Sequence, residues 1–247
     1  IILLDDWRSI FLFYVGYSII ITAWIFFRLE ETLPKEKRIT FSTASFSAGF
    51  KEVLTHRVTI CYTLCMGLFF GSLIGYLNSS QQIFQVQFNT GKLFTLYFGL
   101  LVLVFGAASL CNSLVVEKMG MHRICFMAVK TMMAVSSMFL LLHAVTEITL
   151  WMFLIFASLI FFCFGFLFGN LNAIAMEPMG HIAGIASAII GSTSSVISLV
   201  IGTSIGQAYN NTLIPITCGF LVLSSLAFIT MCIADKRVSG LELTDEK

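Results

Sequence analysis

The chain has 247 residues, 58% of them hydrophobic and 11% charged, with a formal net charge of +1. A soluble domain is about 45–50% apolar and about 25% charged, so this composition excludes an ordinary water-exposed globule; the mean hydropathy of +0.95 agrees. With charge so nearly balanced, there is no bulk electrostatic case for nucleic acid or acidic partners.

Lipid removes the need for a polar surface, because it is as apolar as the side chains that face it. A spanning helix needs about 20 mostly apolar residues. Backbone amides have no partner in hydrocarbon unless they pair internally, so each span must be helical. The chain opens Ile1-Ile2-Leu3-Leu4 and reaches Asp5-Asp6 with no initiator Met and no signal peptide, which reads as a cut into a longer protein. Seven segments then qualify as spans: Ile10–Phe27, Val58–Leu77, Leu93–Val116, Ile124–Leu142, Leu150–Ile174, Ile182–Ile205 and Leu213–Ile233. The fold class is therefore all-α, a polytopic membrane protein with seven transmembrane helices.

The longest connection runs from Arg28 to Arg57. Its start, Glu30 to Arg38, is dense in charge. Its end places Phe46, Phe50, Val53 and Leu54 at helical spacing, with Lys51, Glu52 and Arg57 elsewhere on the turn, which predicts a short amphipathic helix lying in the interface.

Lysine and arginine in short loops stay on the cytoplasmic side. Arg28, Lys35, Lys37, Arg38, Lys51, Arg57, Lys118, Arg123, Lys236, Arg237 and Lys247 fall on one face if the helices alternate; the opposite face holds only Arg8 and Lys92. The expected topology has an outer amino end and a cytoplasmic carboxyl end, in a plasma membrane. Lys130 is the one ionisable residue inside a span. It lies about two turns from the cytoplasmic end, from where it can snorkel or enter a cavity or charge pair. No Asp or Glu falls within the seven segments. Proton coupling usually needs a carboxylate or histidine in a dry site, so the coupling group is expected outside this chain.

Cys61, Cys65, Cys111, Cys125, Cys163, Cys218 and Cys232 all sit in apolar runs, are odd in number and form no CxxC. They read as small packing residues, with no disulfide framework and no metal. No nucleophile–base pair, phosphate loop or dinucleotide fingerprint appears, so neither a cofactor nor enzymatic activity is expected. Asn78-Ser79-Ser80 and Asn210-Asn211-Thr212 are glycosylation sequons on the expected outer face.

Small residues recur on the spans. Gly67, Gly71 and Gly75 are spaced by four, as are Gly165 and Gly169; Gly184, Ala188, Gly191, Ser195, Ser198, Gly202 and Gly206 mark one face of the sixth span. Such stripes let backbones approach closely, and the same faces can rock during transport. Phe and Tyr are dense on the second and fifth spans, where they can wall an apolar cavity. The candidate polar fixings of a substrate there are Tyr62, Tyr76, Asn78, Gln82, Tyr97, Asn170, Asn172 and Ser195.

Several stretches carry a resemblance. They are Trp7-Arg8-Ser9-Ile10-Phe11, Glu31-Thr32-Leu33-Pro34, Asn112 to Arg123, Glu177-Pro178-Met179-Gly180-His181-Ile182-Ala183-Gly184, and Gly206-Gln207 with Thr212 to Pro215. In this order the chain resembles the second half of a major facilitator superfamily transporter, of the bicyclomycin-resistance type of multidrug/proton antiporter. The loop at Asn112–Arg123 lacks the Gly and Asp of the superfamily's first-half version.

The resemblance implies helices six to twelve. Residues 1–28 would close the amino-terminal bundle, 29–57 form the central cytoplasmic loop, 58–234 a six-helix bundle and 235–247 a tail. It implies that the second, third, fifth and sixth spans line a central cavity. It also implies that Lys118, Gly120, Arg123, Glu177 and Pro178 belong to a cytoplasmic loop and gate. Glu177 lies on the same expected face as Lys118 and Arg123, where it can pair with either and hold that side closed. The implied function is secondary transport, proton-coupled export of small amphipathic molecules by alternating access. Its partners would be substrate, protons, the bilayer and the missing amino-terminal helices. A seven-helix receptor or photoreceptor matches on span count, but Lys130 has no intramembrane counter-ion.

Overall fold

The computed structural model describes residues 8–29 and 43–245, with side chains from 8–29 and 47–235. The charged run at 30–42 and the side chains of Lys236, Arg237 and Lys247 lie outside this set. The chain divides into two units, residues 1–45 and 46–247.

In the first unit, α1 (Arg8–Arg28) is one apolar helix with no buried side chain. The second unit holds the rest: the end of α2 (Thr43–Thr55), then α3 (Arg57–Gln81), α4 (Phe94–Met119), α5 (Met121–Val145), α6 (Leu150–Met176), α7 (Ala183–Gln207) and α8 (Ile214–Asp245). No strand occurs among the described residues. Six stretches are long and apolar enough to cross a membrane. One of them, Leu150–Gln207, is 58 residues and contains both α6 and α7. A single helix of that length would run about 87 Å, nearly three times the hydrocarbon layer. With α1, α3, α4, α5 and α8, the long apolar helices are therefore the seven expected.

Local chemistry sets the boundaries. His56 caps α3 by accepting from the Thr59 amide, and Thr149 caps α6 by accepting from the Met152 amide. Gly120 joins α4 to α5 at φ 79°, a backbone state that glycine adopts without cost. Pro178 stands at the start of a 3₁₀ turn, Glu177–Ile182, that separates α6 from α7. Past α3 the backbone continues through a wide π-type turn, Gln82–Gln87, several residues beyond the predicted end at Leu77.

Helices α3 and α6 fill the centre of the bundle. Among α3 to α8, α4 is the least buried. α3 packs mainly on α7 and α8; α6 packs on α4 and α5; α5 also packs on α8. Ring pairs fill the core, with Phe70 on Phe168 at 4.3 Å and Phe139 on Phe156 at 4.1 Å between centroids.

The glycines explain the α3–α7 contact. A Cβ built at Gly67, Gly71 or Gly75 would lie 2.7–2.8 Å from Ile197, Ile201 or Ile205. Three isoleucines spaced by four on one helix thus enter a groove of three glycines spaced by four on the other. The fit is reciprocal: Gly202 receives Ile74 and Gly206 receives Asn78.

Three expected packing glycines differ. A Cβ at Gly169, Gly184 or Gly191 would meet nothing within 4 Å. The buried stripe on α7 is Ala186, Ile190, Ser194, Ser198 and Gly202. Each step of four advances about 40° around the axis, so the contact winds. The straight face drawn through Gly184 and Gly191 meets it only at Ser198 and Gly202.

The amphipathic segment is helical as α2, with a different inner face. Val53 is buried, and Gly49 sits against Ile185 of α7. Phe50 and Leu54 are exposed, and the side chain of Phe46 is outside the described set.

Candidate functional site

The eight candidate substrate-contacting residues do not converge. They separate along the bundle axis into three places, for which the two ends are called basic (Arg57, Arg123, Glu177) and far (Gln82, Thr149, Tyr209).

At the basic end, Tyr62 of α3 is fully buried. Its hydroxyl lies 3.0 Å from His122 Nδ1 of α5 and donates to Asp235 Oδ1 of α8 at 3.3 Å. His122 Nδ1 is itself 3.5 Å from that carboxylate oxygen. The tyrosine edge also meets the imidazole, with centroids 5.6 Å apart. Three helices are thus tied by one hydroxyl, one imidazole and one carboxylate. Beside them Arg57 Nη2 donates to the Ile233 carbonyl of α8 at 2.8 Å, and His181 Nε2 lies 2.8 Å from Glu52 Oε1. The last predicted span stops at Ile233. Here α8 continues past Asp235, which brings the carboxylate over Tyr62.

Replacing Tyr62 by Phe keeps the ring and removes the link. Hydrogen bonds to charged groups are worth about 1.5–3 kcal/mol, less where the partners are part-exposed as here. Tyr62→Phe is expected to lower the thermal midpoint of the solubilised protein by a few degrees. Asp235→Asn, which retains an acceptor oxygen, should lower it less. Equal midpoints for Tyr62→Phe and the parent would show that the link contributes nothing.

The gate pairing is corrected. Glu177 forms no ion pair with Lys118 or Arg123; the ion pairs among the described residues are His122–Asp235 and His181–Glu52. Glu177 opens the 3₁₀ turn beside Pro178, whereas Lys118 and Arg123 flank the Gly120 turn.

In the middle of the bundle, Tyr76 is buried against Phe98 and Phe161, and its hydroxyl has no hydrogen-bond partner. It is a core residue. Tyr97, in the first turn of α4 and so nearer the far end, stacks on Phe84. Asn170 is buried and pairs its amide reciprocally with Asn112 of α4, at 2.8 and 3.4 Å, while also donating to the Phe166 carbonyl. It therefore joins α4 to α6. Asn172 and Ser195 are exposed on the outside of the bundle. Lys130 is exposed on α5, its Nζ 5.7 Å from the Phe228 ring of α8, a cation–π contact.

At the far end, Asn78 and Gln82 do meet. With Thr203, Gly206, Gln207 and Tyr209 they line a polar hollow of about 500 Å³ between the ends of α3 and α7. Asn78 Nδ2 donates to the Gly202 carbonyl at 3.3 Å. That places the Asn78 sequon inside α3, where its amide is already engaged. Tyr209 donates to Gln87 at 3.4 Å, and burial pushes its phenol above the ordinary range, so it keeps its proton at neutral pH. Thr203 was missed because the sixth span was read as a small-residue stripe, and Gln207 and Tyr209 because they lie beyond its predicted end at Ile205.

The Major Facilitator Superfamily profile matches residues 1–203. The chain belongs to this superfamily. Its members are transporters and not enzymes. Similar superfamily proteins include the uncharacterized MFS-type transporter YdgK of Bacillus subtilis, 25% identical over 95% of this chain and 56% of the relative. A bicyclomycin resistance protein homolog of Haemophilus influenzae is 24% identical over 90% of this chain and 56% of the relative. The chain thus spans a little over half the length of these curated relatives. No solved structure matches.

Proposed function

We propose that this chain is the second half of a proton-coupled exporter of small amphipathic molecules, working by alternating access against a first bundle that 1–28 would close. In this reading the basic end is cytoplasmic, the far end is outside, and the membrane is a bacterial inner membrane. The observation that carries the reading is the open side of α7. Gly184, Ala188 and Ser195 are exposed there and Gly191 is half-buried, leaving a small-residue face with no helix of the second unit against it. Lipid-facing helices gain nothing from small residues, whereas a helix that approaches closely and moves does. The resemblance to a bicyclomycin resistance protein homolog supports a drug-type substrate.

The acidic residues of α4 and α8, Glu117, Asp235, Glu242 and Asp245, lie at the basic end of α4 and in the last eleven residues of α8. The proton-carrying carboxylate is therefore assigned to the first half. The far-end hollow with Asn78 and Gln82 would be an outer vestibule, and the Gly120 and Pro178 turns would move with the cytoplasmic gate.

The test is transport by the complete gene product in everted vesicles, using an amphipathic dye. An imposed inward-acid gradient should drive dye accumulation, and an uncoupler should abolish it. Accumulation that survives collapse of the gradient would falsify proton coupling.

A further inference from the structure

Helices α4 and α5 are joined by one tight turn yet scarcely touch along their lengths; each packs instead on α6. They leave a wedge with α6 as its floor. Val115 and Met119 form one wall, Met127 and Thr131 the other, and Phe162 and Phe166 the base, around about 270 Å³. The lining makes no polar demand, because the Thr131 hydroxyl already donates to the Met127 carbonyl at 3.0 Å. The Gly120 turn closes the wedge at the basic end.

Two exposed cations stand at that closed end. Lys118 precedes the lining residue Met119, and Arg123 precedes the lining residue Ile124. Neither forms an ion pair among the described residues. Glu117, on the same turn, is exposed as well. An apolar slot headed by two free cations matches a molecule with an apolar tail and an anionic head.

We infer that the α4–α5 wedge is a binding site for an anionic phospholipid, with one acyl chain against Phe162 and Phe166 and the phosphate between Lys118 and Arg123. It accounts for the two basic residues that the Glu177 gate left without partners. It rests on the bundle lying in a bilayer and not on proton coupling or the direction of transport.

The complete gene product tests this in phosphatidylcholine vesicles, with its other tryptophans replaced by Phe and a reporter introduced by Phe162→Trp, a part-exposed position. Phosphatidylglycerol carrying a dibrominated acyl chain replaces host lipid stepwise, with dibrominated phosphatidylcholine as the comparison. Each basic residue near a surface is worth about a fivefold preference for anionic lipid. Half-quenching should thus need at least about fivefold less phosphatidylglycerol than phosphatidylcholine. Lys118→Gln with Arg123→Gln should erase that difference while leaving quenching by phosphatidylcholine unchanged, which shows the wedge intact. Soluble glycerol phosphate should not compete. Equal quenching by the two lipids in the parent protein overturns the site. So does no quenching by either lipid, which would mean protein fills the wedge. Full competition by glycerol phosphate also overturns it, because the head alone would then bind.

Discussion

Gly165→Ala is expected to destabilise the bundle more than any other single methyl added to a glycine that packs against a side chain. A Cβ at Gly165 would lie 2.5 Å from Ala108 Cβ, 2.7 Å from the Phe105 carbonyl oxygen and 2.9 Å from the Ser109 amide nitrogen. Two of those three neighbours are backbone of α4, which cannot rotate away, so the helices must separate. Overpacking of this kind costs about 1–3 kcal/mol and occasionally more, or about 5 °C in the thermal midpoint of a chain this size. Gly71→Ala offers the contrast. Its nearest neighbours are Ile201 Cβ and Cγ2, both at 2.8 Å, with backbone no closer than 3.4 Å. Adding Ile201→Ala should therefore recover most of the Gly71→Ala loss, while no single side-chain truncation on α4 should rescue Gly165→Ala. Gly169→Ala, one turn along α6 with nothing within 4 Å, should be neutral or better, since alanine is the stronger helix former. Midpoints measured in detergent for the four variants decide the matter; equal losses at Gly165 and Gly169 would sink the close-approach account.

That ranking was beyond reach of the sequence, although the helices were not. Span positions come from a one-dimensional signal, because hydrocarbon forces every backbone amide into a local helix and length alone sets the threshold. The seven predicted segments accordingly match seven helices, none starting more than one residue outside its helix. A glycine repeat shows that a close approach is available, but its direction depends on where the neighbour crosses. Gly67, Gly71 and Gly75 follow the winding stripe of α3, whereas Gly184 and Gly191 depart from that of α7. The amphipathic segment formed its helix, but its inner face turned for the same reason: Gly49 sits against Ile185 and Val53 is buried, while Phe50 and Leu54 are exposed. The Tyr62–His122–Asp235 link joins residues up to 173 positions apart and had no local sign. Its one obstacle in the sequence was the early stop at Ile233, drawn where hydropathy falls although the helix continues.

The Asn112–Asn170 pair was legible in principle. A side-chain amide buried in a lipid-embedded bundle without a partner costs several kcal/mol, so each such amide demands another at its own depth. Asn112 lies seven residues before the end of α4 at Met119, and Asn170 six before the end of α6 at Met176. Both helices end on the basic side, so at 1.5 Å per residue the two amides stand about 10 and 9 Å from that end. Depth matching would have paired them, where treating Asn170 as a substrate residue did not. The pair fixes the register of α4 on α6, because sliding either helix by one turn would strand both amides. Asn170→Leu should therefore be costly, by about 1–3 kcal/mol, since Asn112 loses its partner and the Phe166 carbonyl loses a donor. Asn112→Leu should cost a similar amount. The double variant should lose much less than the sum, because two leucines leave no amide unpaired. The coupling from the double-mutant cycle is expected at about 1 kcal/mol, at the upper part of the range for polar pairs in membranes. Losses that simply add would mean that each amide acts through its own helix and that the α4–α6 register is held by the Gly165 contact alone.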